Sequence, residues 1–588
     1  MKMKYLLAFS LVSLLAIAGC NKQNNTEESN NTAATLIPTI SVPDATDISE
    51  PANTGDFSLT TTDGAVTQSG NIYTITKAGT YVAKGVLNGQ IKVLAGDSDK
   101  VELSLQGATI TYDQDSPIKA MTADSFDVEA KDGTENLVKD LRAVKVNDDS
   151  SVGEGAINAK VDMKLKGKGT LVVVGEYNNA VHTSDDLKVQ NLTLKATGYN
   201  NALKGNDTVT ISSGTIYAIS KNGQGIKTKN SDVSSKGNQR GTIKIDGGVI
   251  QVDSVYDGID SSYDVIINQS ADTVPTQVTV KTGSNATYKT NYDKNSSAKA
   301  IKAENNITIN NGAIVLAASD DAVHANYGET LENGSTGQGN ITINGGSLSI
   351  ASGDDGIHAD NTLTIAGGTV AITGAKEGLE ANHIKISGGE THVYGTDDGV
   401  NASKKINQTP TIEVSGGLLD VSVSNGDTDG IDSNGNFTQS GGVVISRGSP
   451  GTNASGMSTG LDCDGTASIT GGTFIAFNGM EKTPTTANNV LKANTANATG
   501  QGGRPGGGGG PGPRPAYTDT KALTTSSFVA GNYTLTGGEM NISFLNNYQY
   551  ATFIIYSSLL TQGQEYTLSF GETPVLSWTQ SSSAVTIS

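Results

Sequence analysis

The stretch "DDGIHADNTLTIAGGTVAITG", residues 354–374, decides the fold, because near-copies of it recur along the chain. Within it Leu363 and Ile365, then Val370 and Ile372, alternate with polar residues. That is the period-two pattern of short half-buried strands, and no helical period fits it. The glycines at 367/368 stand between the two strands, where a corner needs a residue that accepts positive φ without a side-chain clash. Equivalent pairs stand at 247/248, 345/346, 388/389, 416/417, 441/442 and 471/472. Each unit therefore reads as strand, turn, strand, turn.

Aligning the copies on Ile357 gives an apolar column: Ile157, Val181, Leu203, Ile226, Ile259, Ile301, Val323, Ile357, Leu379, Val400, Ile431 and Leu461. Several neighbours, such as Ile301 and Val323 or Ile357 and Leu379, are 22 residues apart. The wider gaps read as the same unit carrying insertions of about ten or twenty residues. One such unit cannot bury its own apolar face, whereas stacked units bury a continuous column and pair their backbones in parallel at about 4.8 Å per rung. The expected fold is all-β, a parallel β-helix whose twelve aligned rungs would span roughly 55 Å. A β-propeller is the rival, but its blades repeat at about 40 residues or more.

Composition agrees. A chain of 588 residues with 72 Gly, 13 Pro and 5% aromatic residues suits a repeat array better than one compact helical core. Its formal net charge of -19 speaks against nucleic acid as a partner, since counterion release needs clustered Lys and Arg. Cations, or ligands bridged by cations, fit better.

The N-terminus "MKMKYLLAFSLVSLLAIAGC" has two lysines, a short apolar run and a small-residue end, the pattern of an export signal too short to span a membrane. Ile17, Ala18, Gly19 and Cys20 resemble a bacterial lipobox, which makes 1–19 a lipoprotein signal peptide and Cys20 the lipidated end of the mature chain. Membrane contact is then expected through the lipid anchor only, with the protein exported and held at the cell surface. Cys463 is left without a partner, so no disulfide framework is expected. Residues 20–55, poor in apolar groups, read as a flexible tether. Residues 56–150 read as the N-terminal β cap and first rungs, 151–499 as the β-helix repeats, 500–516 as a Gly/Pro linker, and 517–588 as a C-terminal β cap or module.

With the rungs stacked, each alignment position becomes a line of side chains along one edge. Two before the apolar column stand Asp257, Lys299, Asp321, Asp355, Glu377, Asp398 and Asp429, and Asp320, Asp354 and Asp397 precede them. Just after it come His182, Lys204, Lys227, Asp260, Lys302, His324, His358, Glu380 and Asp432, with Asp360 two further on. Small residues such as Ala325, Ala359, Ala381 and Cys463 lie between and are expected to pack inside the turn. Any single Asp here is explained by turn chemistry, because its carboxylate can accept neighbouring backbone N–H groups. Stacked carboxylates repel, however, and calcium, which takes six to eight oxygen ligands, offsets that repulsion. Calcium is therefore expected along this edge, with Asp257, Asp260, Asp320, Asp321, Asp354, Asp355, Asp360, Asp397, Asp398, Asp429 and Asp432 as candidate ligands. The histidines lack a wider constellation for zinc and are read as exposed ladder residues.

The chain resembles the bacterial carbohydrate-binding β-helix proteins, through "TITKAGTYVAKGVLNGQIKV" (74–93), "DGTENLVKD" (132–140), the repeated "DGIHADNTLTIAGG" rungs and the Gly/Pro linker followed by a Tyr-Thr-Leu strand near 566. The resemblance covers most of the mature chain. It implies a right-handed parallel β-helix related in architecture to pectate lyases, bound calcium, and polysaccharide ligands, either cellulose or acidic pectin-type sugars. An acidic rod holding an acidic sugar would need calcium as the bridge. A neutral glucan would want an aromatic platform, and one Trp with 19 Tyr in no obvious row supply little of it. The enzyme alternative is a calcium-dependent lyase with Lys302 as the base; the third is an adhesin or structural surface protein. The expectation is a monomeric, non-enzymatic polysaccharide binder.

Overall fold

Residues 354–374 form one full turn of a coil. In the computed structural model, which describes residues 48–147, 149–270, 275–449, 458–495, 523–525 and 527–587, every such turn lays one strand on each of three parallel sheets. Positions 357–359 pair with Val323–Ala325 on one side and 379–381 on the other, in the first sheet. Positions 362–365 pair with Asn340–Ile343 and 383–386 in the second. Positions 369–372 pair with strands Ser347–Ala351 and Glu390–Gly395 in the third. The result is an all-β parallel β-helix. Among the described residues there is no α-helix, and 3-10 turns run over Gly283–Asn285 and Lys289–Asn291.

Strand alternation sends Ile357, Leu363, Ile365, Val370 and Ile372 into a single continuous core. Each fully buried Ile or Leu contributes about 1.5–3 kcal/mol, which is how so aromatic-poor a chain holds together. The paired glycines do make the corner from second to third sheet. Gly368 has φ +83°, and a Cβ there would lie 2.6 Å from the carbonyl oxygen of Gly346 one turn away. Gly389 meets the Gly368 oxygen at the same 2.6 Å, so the glycines stack because the coils approach too closely for any side chain.

The small-residue column packs differently from expectation. Ala325, Ala359, Ala381 and Cys463 lie within first-sheet strands, two residues after the apolar position, and so face the core beside it; they do not fill a turn. The buried Cys463 thiol donates to the Gly435 carbonyl, and burial pushes its pKa up, so it is a small core group and no nucleophile.

At the start of the coil, Val66–Ser69 and Ile72–Ile75 form an antiparallel hairpin, and Ser58–Thr61 runs antiparallel to Gly79–Asn88. These strands occupy an edge that would otherwise be open. At the far end Thr473–Phe477, of the third sheet, pairs antiparallel with Thr552–Ser557. The strands Met540–Asn546, Gly531–Gly537, Glu565–Phe570 and Thr573–Thr579 make a four-stranded sheet beside it. Arg447, fully buried, fastens the two parts: its Nε donates to Asn546 Oδ1 at 2.9 Å while Nη1 holds Asp420. The signal peptide, Cys20, the linker 500–516 and most of the tether lie outside the described residues.

Candidate functional site

The acidic edge is the corner between the third and first sheets together with the outward-facing column of the first. At the corner the fold itself uses several carboxylates. Asp257 Oδ1 accepts the Lys299 N–H at 2.9 Å, Asp321 Oδ1 the Asp355 N–H at 3.1 Å, and Asp398 Oδ1 the Asp429 N–H at 2.8 Å. Asp429 Oδ1 in turn accepts from Thr459. Each ties one coil to the next by satisfying a backbone donor.

Around Asp320 the repulsion already has a counterion. Lys299 Nζ lies 2.7 Å from Asp320 Oδ2 and 2.9 Å from Asp321 Oδ2. Oxygens of Asp320, Asp321 and Asp354 come within 4.8 Å of one another, an oxygen-only set of the kind a hard cation takes. Calcium there would displace Lys299 from between the carboxylates. Asp354, half exposed, has Lys376 at 3.6 Å. Asp260 is paired with Lys227, and Asp397 sits at the same corner, partly exposed.

Further along, cations give out. Among the described residues no Lys or Arg ion-pairs with Asp398, Asp429 or Asp432. Burial, reinforced by the surrounding aspartates, pushes Asp398 and Asp429 up to about 7 and Asp432 to about 6.

In the outward column the register runs Asp260, Lys302, His324, His358, Glu380, Asn401, Asp432, Asp462. The histidines are not exposed: each side chain keeps 12% of its surface. His324 Nδ1 lies 2.6 Å from Asp321 Oδ2, and His358 Nδ1 lies 2.8 Å from Asp355 Oδ2 and 3.1 Å from Glu380 Oε2. Although burial opposes it, the carboxylates of Asp355, Asp360 and Glu380 raise the His358 pKa to about 10. Glu377 is pushed up to about 8 by burial beside Glu380 and Asp355, while Glu380 is held at about 2 against burial by Asp355, His358 and Lys405. The signal for the two histidines was present in the sequence: Asp-Ala-Val-His and Asp-Gly-Ile-His place a carboxylate three residues before each, in adjacent copies.

Lys302, the expected base of a lyase, pairs with Glu304 at 2.8 Å. Burial pulls its pKa down, but Asp260 and Glu304 outweigh that and hold it above the ordinary lysine value, which favours the ammonium over a proton-accepting amine. Lys204 is the opposite case: burial and the charges of Lys227 and Lys229 lower it to about 8.

Beside the ladder the excursion carrying the two 3-10 turns walls an open groove of about 590 Å³, lined among others by Tyr292, Lys294, Lys299, Lys302, Asp320 and Asp354.

A family model described as "Carbohydrate-binding domain-containing protein" matches residues 69–338 and 330–482, a span that contains every carboxylate named above. The chain belongs to this family. A carbohydrate-binding domain-containing protein of Acetivibrio thermocellus (strain ATCC 27405) is 36% identical over 126 residues, 21% of this chain and 44% of that protein, so the chain spans less than half the length of this relative. A solved polysaccharide lyase-like protein from C. thermocellum, a gadolinium derivative, is 33% identical over 38% of this chain and 85% of that one, with a TM-score of 0.33. Membership in a carbohydrate-binding family makes a polysaccharide the partner class to test against the groove.

Proposed function

We propose that this chain is an exported protein, anchored through a lipid on Cys20, that holds an acidic polysaccharide in the groove beside the ladder, with calcium on the acidic edge as a bridge. The observation that carries this reading is the groove's lining. Lys294 offers positive charge to a uronate carboxylate, Tyr292 and the Glu304-paired Lys302 line the same groove, and Asp320 and Asp354 belong to the oxygen-only cluster. Asp320, Asp321 and Asp354 would hold the ion, and calcium would supply positive charge shared between protein and sugar carboxylates. The neutral-glucan reading has less support, because Trp578 is buried at the far end of the chain, stacked on Tyr566 with ring centroids 5.3 Å apart.

The test is retention on polygalacturonate and on insoluble cellulose, with calcium and with chelator. The expected result is calcium-dependent retention on polygalacturonate that weakens in Lys294→Ala and Asp320→Asn, without absorbance from unsaturated products. Equal retention in chelator removes the calcium bridge, and rising product absorbance makes the protein a lyase. Failure to bind either polymer favours the adhesin or structural reading.

A further inference from the structure

The two histidines of the upper ladder are arranged as metal ligands of a different chemical class from the calcium edge. A carboxylate has no proton to give, so His324 Nδ1 donates to Asp321 and His358 Nδ1 donates to Asp355, which places a ring proton on each Nδ1. An ion entering here displaces any proton held on Nε2 toward Asp360, and both Nε2 atoms of the resulting neutral rings then present lone pairs. The same carboxylate oxygen, Asp360 Oδ1, lies 3.7 Å from His324 Nε2 and 3.2 Å from His358 Nε2. His358 Nε2 is buried and has no aligned hydrogen-bond partner, and Asp355, just behind it and itself 4% exposed, keeps an unpartnered Oδ1. Both imidazole nitrogens thus face one carboxylate oxygen, and each imidazole is oriented from behind by a carboxylate. Nitrogen donors with carboxylate-backed rings are what zinc-class ions take and calcium does not.

We propose that His324, His358 and Asp360 bind one divalent ion of the zinc class, with Asp321 and Asp355 as the positioning residues that fix both rings. The rings stack with centroids 4.4 Å apart and planes 18° from parallel, so binding splays them about their Cβ–Cγ bonds until both lone pairs meet the ion. Asp360 has a quarter of its side chain exposed, so a bound ion faces solvent. Its remaining positions are open to water or to a ligand oxygen. Lys302, in the groove lining, is the register neighbour of His324 in the preceding turn, which sets this ion at the end of the proposed sugar groove. The metal site itself does not depend on any sugar binding.

The test uses the full chain stripped with chelator and then titrated with Zn²⁺ in excess Ca²⁺, with Co²⁺ as a spectroscopic probe. One equivalent of zinc should bind under calcium, and Co²⁺ should develop visible ligand-field absorption. His324→Gln and the partly exposed, near-isosteric Asp360→Asn should each weaken zinc roughly tenfold or more while His182→Gln leaves it unchanged, affinity losses of the size seen when metal-site groups are altered. Substoichiometric zinc, complete competition by calcium, or unchanged affinity in Asp360→Asn with a native circular dichroism spectrum would overturn the proposal. Because no polysaccharide enters the assay, its result is independent of the binding function proposed above.

Discussion

The outward column of the first sheet has two halves that share a backbone and differ in charge. In the lower turns it runs Asn158, His182, Lys204, Lys227. In the upper turns it runs His324, His358, Glu380, Asn401, Asp432, Asp462. His182 and His358 occupy the same position in the rung, yet burial and the neighbouring Lys204 lower His182 to about 4, whereas the carboxylates around His358 outweigh its burial and raise it to about 10. The β-helix supplies a place for a side chain, and its burial together with the charges of its own and the adjacent turns decides its protonation state. The same holds for lysines: Lys204 sits among cations and Lys299 between two carboxylates.

The largest expected effect follows from removing a counterion in the upper half. Lys299 keeps only 13% of its side chain exposed and Asp321 5%, so Lys299→Met leaves buried carboxylates without their cation and should cost about 3–5 kcal/mol in chelator. Urea unfolding measures it. Added calcium should recover more stability in Lys299→Met than in the parent chain, since the ion takes the room the ammonium leaves. A small loss in chelator would mean that the upper half is balanced by its histidines, and the contrast with the lower half would have to be redrawn.

His182 gives the next effect, as a pH dependence of opposite origin. Its folded pKa lies below its unfolded value near 6.5, so the unfolded chain binds the proton more readily. Stability is therefore full above pH 6.5 and is lost as pH falls toward 4, by on the order of 3 kcal/mol in all. In His182→Gln this loss should vanish. Differential scanning calorimetry of both proteins from pH 7 to 4 isolates it, and parallel midpoints across that range would show that His182 gains a proton without unfolding cost.

Much of this was legible before any coordinates. The period of Ile357 and its equivalents, the alternation of Leu363, Ile365, Val370 and Ile372, and the glycine pairs defined the coil, because a solenoid repeats its packing constraints in sequence. The acidic edge was legible as columns, and so was the adjacency of Lys302 to Asp260 and His324. What the columns do not carry is distance across a corner. Lys299 lies in the corner column as a substitution for Asp, and only the excursion of 283–299 shows it folded between Asp320 and Asp321. The burial of His324 and His358 depends on the carboxylates folded around them and on where the strand bends after residue 359, which a one-dimensional alternation leaves open, whereas Ala359 in the core follows from alternation once the strand is known to run through it.

The smallest effect sharpens the comparison at the level of a single amine. At pH 7.5 a lysine of pKa about 8 has roughly two-hundredfold more free base than one at the ordinary 10.4. Lys204, lowered to about 8, should therefore acylate well ahead of Lys302, which its carboxylates hold above the ordinary value. A limiting dose of a small acylating reagent, followed by peptide mass spectrometry, gives the ratio. Replacing Lys227 by Met removes the nearest like charge in the column and should slow Lys204 acylation by restoring its proton. If Lys204 reacts no faster than Lys302, or is indifferent to Lys227→Met, the cations of the lower half do not act on one another. In the second case burial alone would explain its low value, and in either case the upper half is left as the place where neighbouring charges set protonation along the ladder.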